Sequence, residues 1–566
     1  MLGIGAHKVV VQVKRMGGGF GGKETRTLHI IAAAAVAAYK SRRTLRLVLD
    51  HDTDMAITGQ RHAFMSRWKV GFDNDGRILG VDAMLYANAG CSADLTMPVV
   101  DRALLHFENA YRYGALRVTG KPCLTNLPSN TAFRGFGGPQ GMYMAECIVD
   151  AIAQKLSKKP EEVRQINLYQ QGDVTPFKQT LKEYTVPQQW DHIIRHVDLP
   201  ARRAAVAAFN ATNRYKKRGL ALIPTKFGIA FTAKFLNQAG ALVLVYSDGT
   251  ILINCGATEI GQGIYTKMCQ VAATAFGVPL HMVAISDTST DKVANASPTA
   301  ASATSDLNGA AILDACHQII KRLEPLRAKH PNKTWPEICS MAYFERIQLT
   351  ATGFYATPDV GYDFVKAEGQ PFNYFTTGVC YSEVEVDLLT GDFTTLQSHI
   401  VMDVGLPINP TIDIGQIEGA FVQGVGLFTI EELVWGDSEH PWVRPGHLQT
   451  RGPGTYKLPS SNDIPINLHV ELWKGGQNSR AIFSSKGVGE PPLFMGSSVF
   501  FAIKDALHSA RHATLSPDRA ATPFVLHSPA TAERIRMAAA DEITKEFMKP
   551  GTQPGEEVTF QPKGSF

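Results

Sequence analysis

No two of the eight cysteines are spaced as C-x-x-C; Cys91, Cys123, Cys147, Cys255, Cys269, Cys316, Cys339 and Cys380 are scattered along 566 residues. That excludes an iron–sulfur ligand set, a zinc ribbon and a disulfide framework, and reads as buried thiols in a reducing compartment. An excess of one charge is missing too. The 56 Lys and Arg against 52 Asp and Glu leave a formal +4 spread along the chain, which argues against a dedicated nucleic-acid or membrane surface. No apolar run is long enough to span a bilayer; the longest, Ile30 to Tyr39, is alanine-rich and predicts a buried helix. No signal peptide opens the chain, and Lys563-Gly-Ser-Phe566 is no peroxisomal address. The expectation is a soluble cytoplasmic protein, with the peroxisome as the alternative location.

What is present is length and glycine. A chain of 566 residues, 44% hydrophobic, exceeds one ordinary core, so two domains are expected, 1–177 and 178–566, with the charged helical stretch 178–218 as the boundary region. Val9 to Val13 predicts a buried strand and Leu45 to Leu49 another, with a helix over Thr27 to Tyr39 between them. The abrupt start at Val9 suggests a chain that continues something upstream. Phe64 to Ala89 alternates as a hairpin around Asp73-Asn-Asp-Gly76, and Ala241 to Asn254 as another around Ser247-Asp-Gly-Thr250. Helices are predicted over Tyr143 to Leu156, from Gly263 to Phe276, over Gly309 to Leu323 and over Gly415 to Phe428. Hairpins and long helices in mixed order give an α+β fold with mixed sheets.

Glycine loops carry the chemistry. Gly17, Gly19 and Gly22 satisfy G-x-G-x-x-G, but the acidic partner expected about twenty residues later is replaced by Lys40-Ser-Arg-Arg43. The same loop nearly spells a P-loop, yet Glu24 stands where a hydroxyl should meet magnesium. Neither nucleotide site is clean. What survives is a backbone cradle at a helix N-terminus, or else a structural turn. Phe133-Arg-Gly-Phe-Gly-Gly-Pro-Gln140 repeats the device: Arg134 is a fixed cation, and Phe136 between glycines is free to stack on a planar ligand. Phe231 and Thr232, Gln262 between Gly261 and Gly263, and Thr299-Ala-Ala-Ser302 add an aromatic, an amide and a gap for close approach. Each alone is equally a core or turn feature; together they suggest one extended anionic cofactor wrapped by several loops. In Ser484 to Phe494, Glu490 lies between Gly489 and Pro491, which places it on a stiff extended loop suited to a general base, or to an ordinary solvated turn.

Six stretches match a known family: Lys14 to Glu24, Asn130 to Gln140, Thr258 to Gly263, Ser297 to Ser302, Asn409-Pro410 with Asp413 to Gly424, and Lys486 to Leu493. They resemble the molybdopterin-binding region of the xanthine dehydrogenase family, over nearly the whole chain. The resemblance implies two elongated molybdopterin-binding domains packed around a shared cofactor cleft. It also implies a molybdenum hydroxylase that oxidises hypoxanthine to xanthine and xanthine to urate. In that family a molybdenum-bound hydroxide attacks the carbon while hydride passes to a sulfido ligand. By this resemblance Glu490 is the general base, Glu24 and Arg102 orient the purine, Phe136 and Phe231 sandwich it, and Thr232 hydrogen-bonds it. Phe20, Gly21, Arg134, Gln262, Ala301 and Gln423 approach the cofactor, with Phe20, Arg134 and Ala301 forming the molybdenum surroundings.

The family's FAD and two 2Fe–2S clusters belong to upstream domains or subunits, and a homodimer is implied. An aldehyde oxidase-type hydroxylase and a non-catalytic fragment remain as alternatives, with a nucleotide-binding enzyme behind them; retention of both Glu24 and Arg102 favours the purine.

Overall fold

The computed structural model describes residues 2–438, 440–516 and 522–545; the C-terminal Lys563-Gly-Ser-Phe566 lies outside them. Three sheets carry the architecture. The strands Phe64–Phe72, Ile78–Gly90 and Leu116–Leu124 form one, its first pair the antiparallel hairpin expected around Asp73 to Gly76. A second has the order Thr350–Ala356, Gln238–Val245, Ile251–Cys255, Val283–Ile285. The third has the order Asn467–Leu472, Phe393–Asp403, Tyr374–Asp387, Lys216–Ile229, with the edge strand Asn467–Leu472 parallel to its neighbour. Mixed sheets with long helices make this an α+β fold.

The third sheet is the spine because both of its faces are buried. Ile400 and Met402 pack in a cluster with Phe494 and Met495, whereas Val401 and Tyr381, of the opposite parity, pack with Trp190 and Ile193 of the helix Val186–His196. Side chains alternating across a strand produce this division. The helix Pro410–Thr429 accommodates its glycines for a packing reason. A Cβ on Gly424 would lie 1.9 Å from the Leu493 carbonyl oxygen, so glycine there lets the turn Pro491–Gly496 seat against the helix.

The N-terminal expectations fare differently. Only Gln12–Val13 forms a strand, paired with Thr288–Ser289, and Val9 to Val11 are exposed. The predicted buried helix is present as Leu28–Ser41, but it contains no buried residue, and Leu28 and Ile31 are 62% and 58% exposed. Leu45 to Leu49 is not a strand. Apolar composition encodes a preference for burial; it does not supply the surface to be buried against. Among the described residues no helix is long and apolar enough to cross a membrane.

Candidate functional site

Stretches far apart in sequence meet at Glu490. One carboxylate oxygen accepts a hydrogen bond from the Gly135 backbone N–H at 3.0 Å and the other from the Ser302 hydroxyl at 2.9 Å; the Glu490 N–H in turn donates to Ser302 Oγ at 2.8 Å. Gly135 precedes the helix Gly138–Leu156 and Ser302 precedes the helix Thr304–Lys329. The expected extended backbone at Glu490 is not observed: φ is −99° and ψ −38°, at the start of the 3₁₀ turn Pro491–Gly496. Proline alone disfavours that region for the preceding residue. Here the bonds to both ends of Glu490 select it.

The segment leading to Glu490 is pinned at successive residues. Lys486 donates to Asp403 at 2.7 Å in an ion pair shielded almost completely from solvent. The Gly487 N–H donates to the Tyr374 hydroxyl at 2.7 Å, and its carbonyl accepts from Thr376 Oγ at 2.8 Å. The Tyr374 hydroxyl in turn donates a hydrogen bond to Asp306 Oδ2 at 2.6 Å, and burial pushes the Asp306 carboxyl up to about 7. A Cβ on Gly487 would lie 2.4 Å from the Ser302 carbonyl oxygen, so only glycine permits this approach.

Arg134 organises the other side. Its Nε donates to the Gly489 carbonyl, Nη1 to Gln423 Oε1 at 3.0 Å and Nη2 to Gln416 Oε1 at 3.2 Å. A guanidinium has only donors, so it fixes both amide orientations: the oxygens face Arg134 and the NH₂ groups turn away. Among the described residues neither NH₂ has a protein acceptor. Burial lowers Arg134 to about 10, with Glu490 opposing and Arg61 reinforcing the shift, and it stays a cation at neutral pH.

Two more charged side chains feel Glu490. Glu24 is pushed up to about 7, by burial first and then by the charges of Glu490 and Asp94. Burial lowers Arg102 while Glu490 opposes that shift. Arg102 gives Nη1 to the Gly228 carbonyl at 3.1 Å and Nη2 to the Ala230 carbonyl, leaving Nε without a partner. Its guanidinium sits 5.9 Å from the Phe136 ring centroid and 5.5 Å from Phe227 and Phe372. Backbone strain collects at the same place. Phe20, Phe136, Ala301 and Ser302 are non-glycine residues with φ of 49°, 47°, 57° and 53°, a conformation costing on the order of 1–2 kcal/mol each.

The remaining sequence-derived residues are less closely joined. Phe231 attaches to Arg102 only through the preceding Ala230, and its N–H donates to Asn237 Oδ1 at 2.9 Å. Among the described residues no ring contact joins Phe231 to Phe136. Thr232 is partly buried beside it. Gln262 spends its amide locally, accepting from the Ile260 N–H at 2.7 Å and donating to the Thr258 carbonyl at 3.1 Å.

The helix N-terminus after Gln262 is filled by the chain itself. The Glu259 carboxylate accepts from the N–H groups of Gly261, Gly263 and Tyr265 at 2.9, 3.0 and 3.1 Å. The Gly17 to Gly22 loop is no helix-end cradle either, since the helix begins only at Leu28. A Cβ on Gly17 would meet nothing within 4 Å, and those on Gly19 and Gly22 would meet only ordinary contacts. Gly21, outside the G-x-G-x-x-G pattern, is the required one: its φ is +102° and a Cβ would lie 2.8 Å from the Ala132 carbonyl. Phe20 beside it is 43% exposed, its ring stacked 6.4 Å from Phe133. Ser302, Gln416, Glu259 and Asp94 were not legible as site residues; Ser302 read only as one more small residue closing the Thr299 to Ser302 run.

Known proteins resemble this chain in sequence and fold. Two family models, both described as a molybdopterin cofactor-binding domain, match residues 1–168 and 192–465. A xanthine dehydrogenase of Oryza sativa subsp. japonica is 54% identical over 97% of this chain and 40% of its own length. A xanthine dehydrogenase/oxidase of Gallus gallus is 53% identical over 99% of this chain and again 40% of its own length. The chain therefore spans 40% of the length of these relatives. The solved structure of the aldehyde oxidoreductase from Desulfovibrio gigas superposes with a TM-score of 0.81 at 25% identity, over 95% of this chain and 55% of that one. On this similarity in sequence and fold, the chain belongs to the molybdopterin cofactor-binding domain family that it shares with the xanthine dehydrogenases.

Proposed function

We propose that this chain is the hydroxylating portion of a xanthine dehydrogenase, binding a molybdopterin cofactor with molybdenum and oxidising hypoxanthine to xanthine and xanthine to urate. The observation that carries the proposal is the convergence on Glu490 of Gly135 and Ser302, 355 and 188 residues away in sequence. The donor set fits the cofactor. An anionic pterin needs hydrogen-bond donors and cations, and Gln423 and Gln416 offer free NH₂ groups aligned by Arg134. Gly21, packed on the Ala132 carbonyl two residues before Arg134, and Ala301, next to Ser302, bring backbone rather than bulk, with Phe20 and Arg134 completing the molybdenum surroundings. Gln262 belongs to this group through its loop, which the Met16 N–H ties to the first glycine loop by donating to the Glu259 carbonyl at 2.9 Å. When bound, the molybdenum centre supplies the two-electron oxidation of the substrate carbon.

The protein's own contribution is protons, position and charge. Glu490 accepts a proton, since each of its oxygens takes one hydrogen bond and retains a lone pair. Glu24, poised at about 7, is protonated in part at neutral pH and hydrogen-bonds the purine edge in either state. The two carboxylates divide acid and base roles because their environments differ. Arg102 steadies negative charge that builds on the ring. Phe136 and Phe231 flank the flat heterocycle and Thr232 bonds it. FAD and two 2Fe–2S clusters, held by further domains or subunits of a cytoplasmic homodimer, would supply the route by which electrons leave. The chain divides near 177 and 178, supported by family matches that end at 168 and resume at 192.

An aldehyde substrate is the second reading, favoured by the commitment of Arg102 to the Gly228 and Ala230 carbonyls. The two are separated by Glu24→Val in the cofactor-loaded chain, assayed with an artificial electron acceptor. Purine turnover falls more than aldehyde turnover if Glu24 reads the purine; an equal loss on both substrates sinks that assignment.

A further inference from the structure

The edge strand of the third sheet carries a second cluster of chemistry-bearing side chains, on the face that packs against the helix Val186–His196. His192 and His196 are four residues apart on that helix and so share one of its faces. His469 and Glu471 are two apart on the strand Asn467–Leu472 and share one face of the sheet. His399 is the register partner of His469 on the next strand.

These groups face one another. His192 Nε2 and Glu471 Oε2 are 2.9 Å apart, and one ligand atom each from His192, His196 and Glu471 lies within 4.8 Å of the others. The His196 ring stacks on His469 at 5.7 Å and meets His399 at 5.3 Å. His399 has a buried Nδ1 with no hydrogen-bond partner. Burial lowers it to about 4, with His196, His469 and Arg202 adding to the shift, so this ring is neutral at physiological pH.

We propose that His192, His196 and Glu471 bind a zinc ion that clips the edge strand Asn467–Leu472 to the helix Val186–His196. Two imidazoles and a carboxylate are a borderline-soft donor set that suits tetrahedral zinc, with water in the fourth position. Ligand atoms on a tetrahedral zinc stand closer together than 4.8 Å, and partly exposed side chains close that gap by small rotations. Glu471 supplies negative charge where four imidazoles would otherwise crowd a cation. The site is separate from the proposed molybdopterin site, which lies with the turn Pro491–Gly496 packed against the sheet's other face. The clipped strand is also the last sheet element before Lys486 to Glu490, so the ion steadies the chain that delivers Glu490.

The test is calorimetric titration of the metal-free full chain with zinc chloride, repeated with His192→Ala, His196→Ala and Glu471→Gln. Glu471→Gln keeps the shape and the hydrogen bond to His192, so it reports on the ligand set without disturbing the fold. The expected result is one equivalent bound, with affinity lowered by more than about 100-fold in each variant. The cobalt-substituted chain should show four-coordinate visible bands without thiolate charge transfer. Unchanged affinity in Glu471→Gln and His196→Ala, or a thiolate band pointing to the exposed Cys91, overturns the proposal.

Discussion

At Glu24 the surroundings, more than the residue type, set the protonation state. Its carboxyl is pushed up to about 7 by burial and by two neighbouring carboxylates, Glu490 and Asp94. The native protein therefore keeps a proton that the unfolded chain releases above its ordinary value of 4.5. The contribution of this group to stability is complete below 4.5 and is lost as pH rises through 7. By pH 8 the cost is on the order of 3 kcal/mol. Glu24→Gln carries no such charge, so urea titrations should show the variant gaining on wild type from pH 5 to pH 8 by about that amount. A constant difference across the range would mean that Glu24 is not the titrating group. The residue was legible because it spoils a P-loop, standing where a hydroxyl belongs. Its shift was not, because Glu490 lies at the other end of the chain, and local sequence does not encode that approach.

Among the elements, the pinned stretch from Lys486 to Glu490 is the one the site depends on. Removing one member of a buried ion pair strands the other charge, at a cost of roughly 3–5 kcal/mol. Lys486→Met should therefore lower unfolding stability by about that amount in guanidinium titrations, because Asp403 stays buried. The first glycine loop offers a sharper contrast. Gly17→Ala should be within ~0.5 kcal/mol of wild type in the same titrations. Gly21→Ala should cost more than about 1 kcal/mol, because it forces alanine to φ +102° against the Ala132 carbonyl. The motif pattern selects Gly17 and Gly22, and packing selects Gly21. Local sequence located the bodies of the helices Gly138–Leu156, Ile264–Phe276 and Pro410–Thr429, but it began the first at Tyr143 and the last at Gly415, because glycine and proline in a first helical turn read as loop. It did not locate the Glu259 carboxylate at the N-terminus of the helix that follows, because a glutamate two residues ahead of Gly261 reads equally as part of a solvated turn.

At the scale of the whole molecule, the site is built from contacts that cross hundreds of residues. Gly135 to Glu490 spans 355 positions, and Arg134 to Gln423 spans 289. A sheet buried on both faces makes such contacts reproducible, because the turn Pro491–Gly496 and the helix Pro410–Thr429 pack on one rigid face. Arg134 is where these long-range contacts meet. Arg134→Lys keeps the charge but cannot orient both amides, so cofactor content by elemental analysis should fall while the fold, followed by circular dichroism, persists. The exposed helix Leu28–Ser41 and Val9 to Val11 were read as buried because their composition is apolar. Composition alone could not say whether a neighbour covers them.

The central claim is that Glu490 moves the proton in a site whose cofactor other residues hold. Glu490→Gln in the cofactor-loaded chain measures it directly, by following the rate of reduction by xanthine alongside molybdenum content. Molybdenum should stay at the wild-type level while the rate falls by about 10²–10⁴-fold. A wild-type rate, or loss of the metal along with the activity, would contradict it.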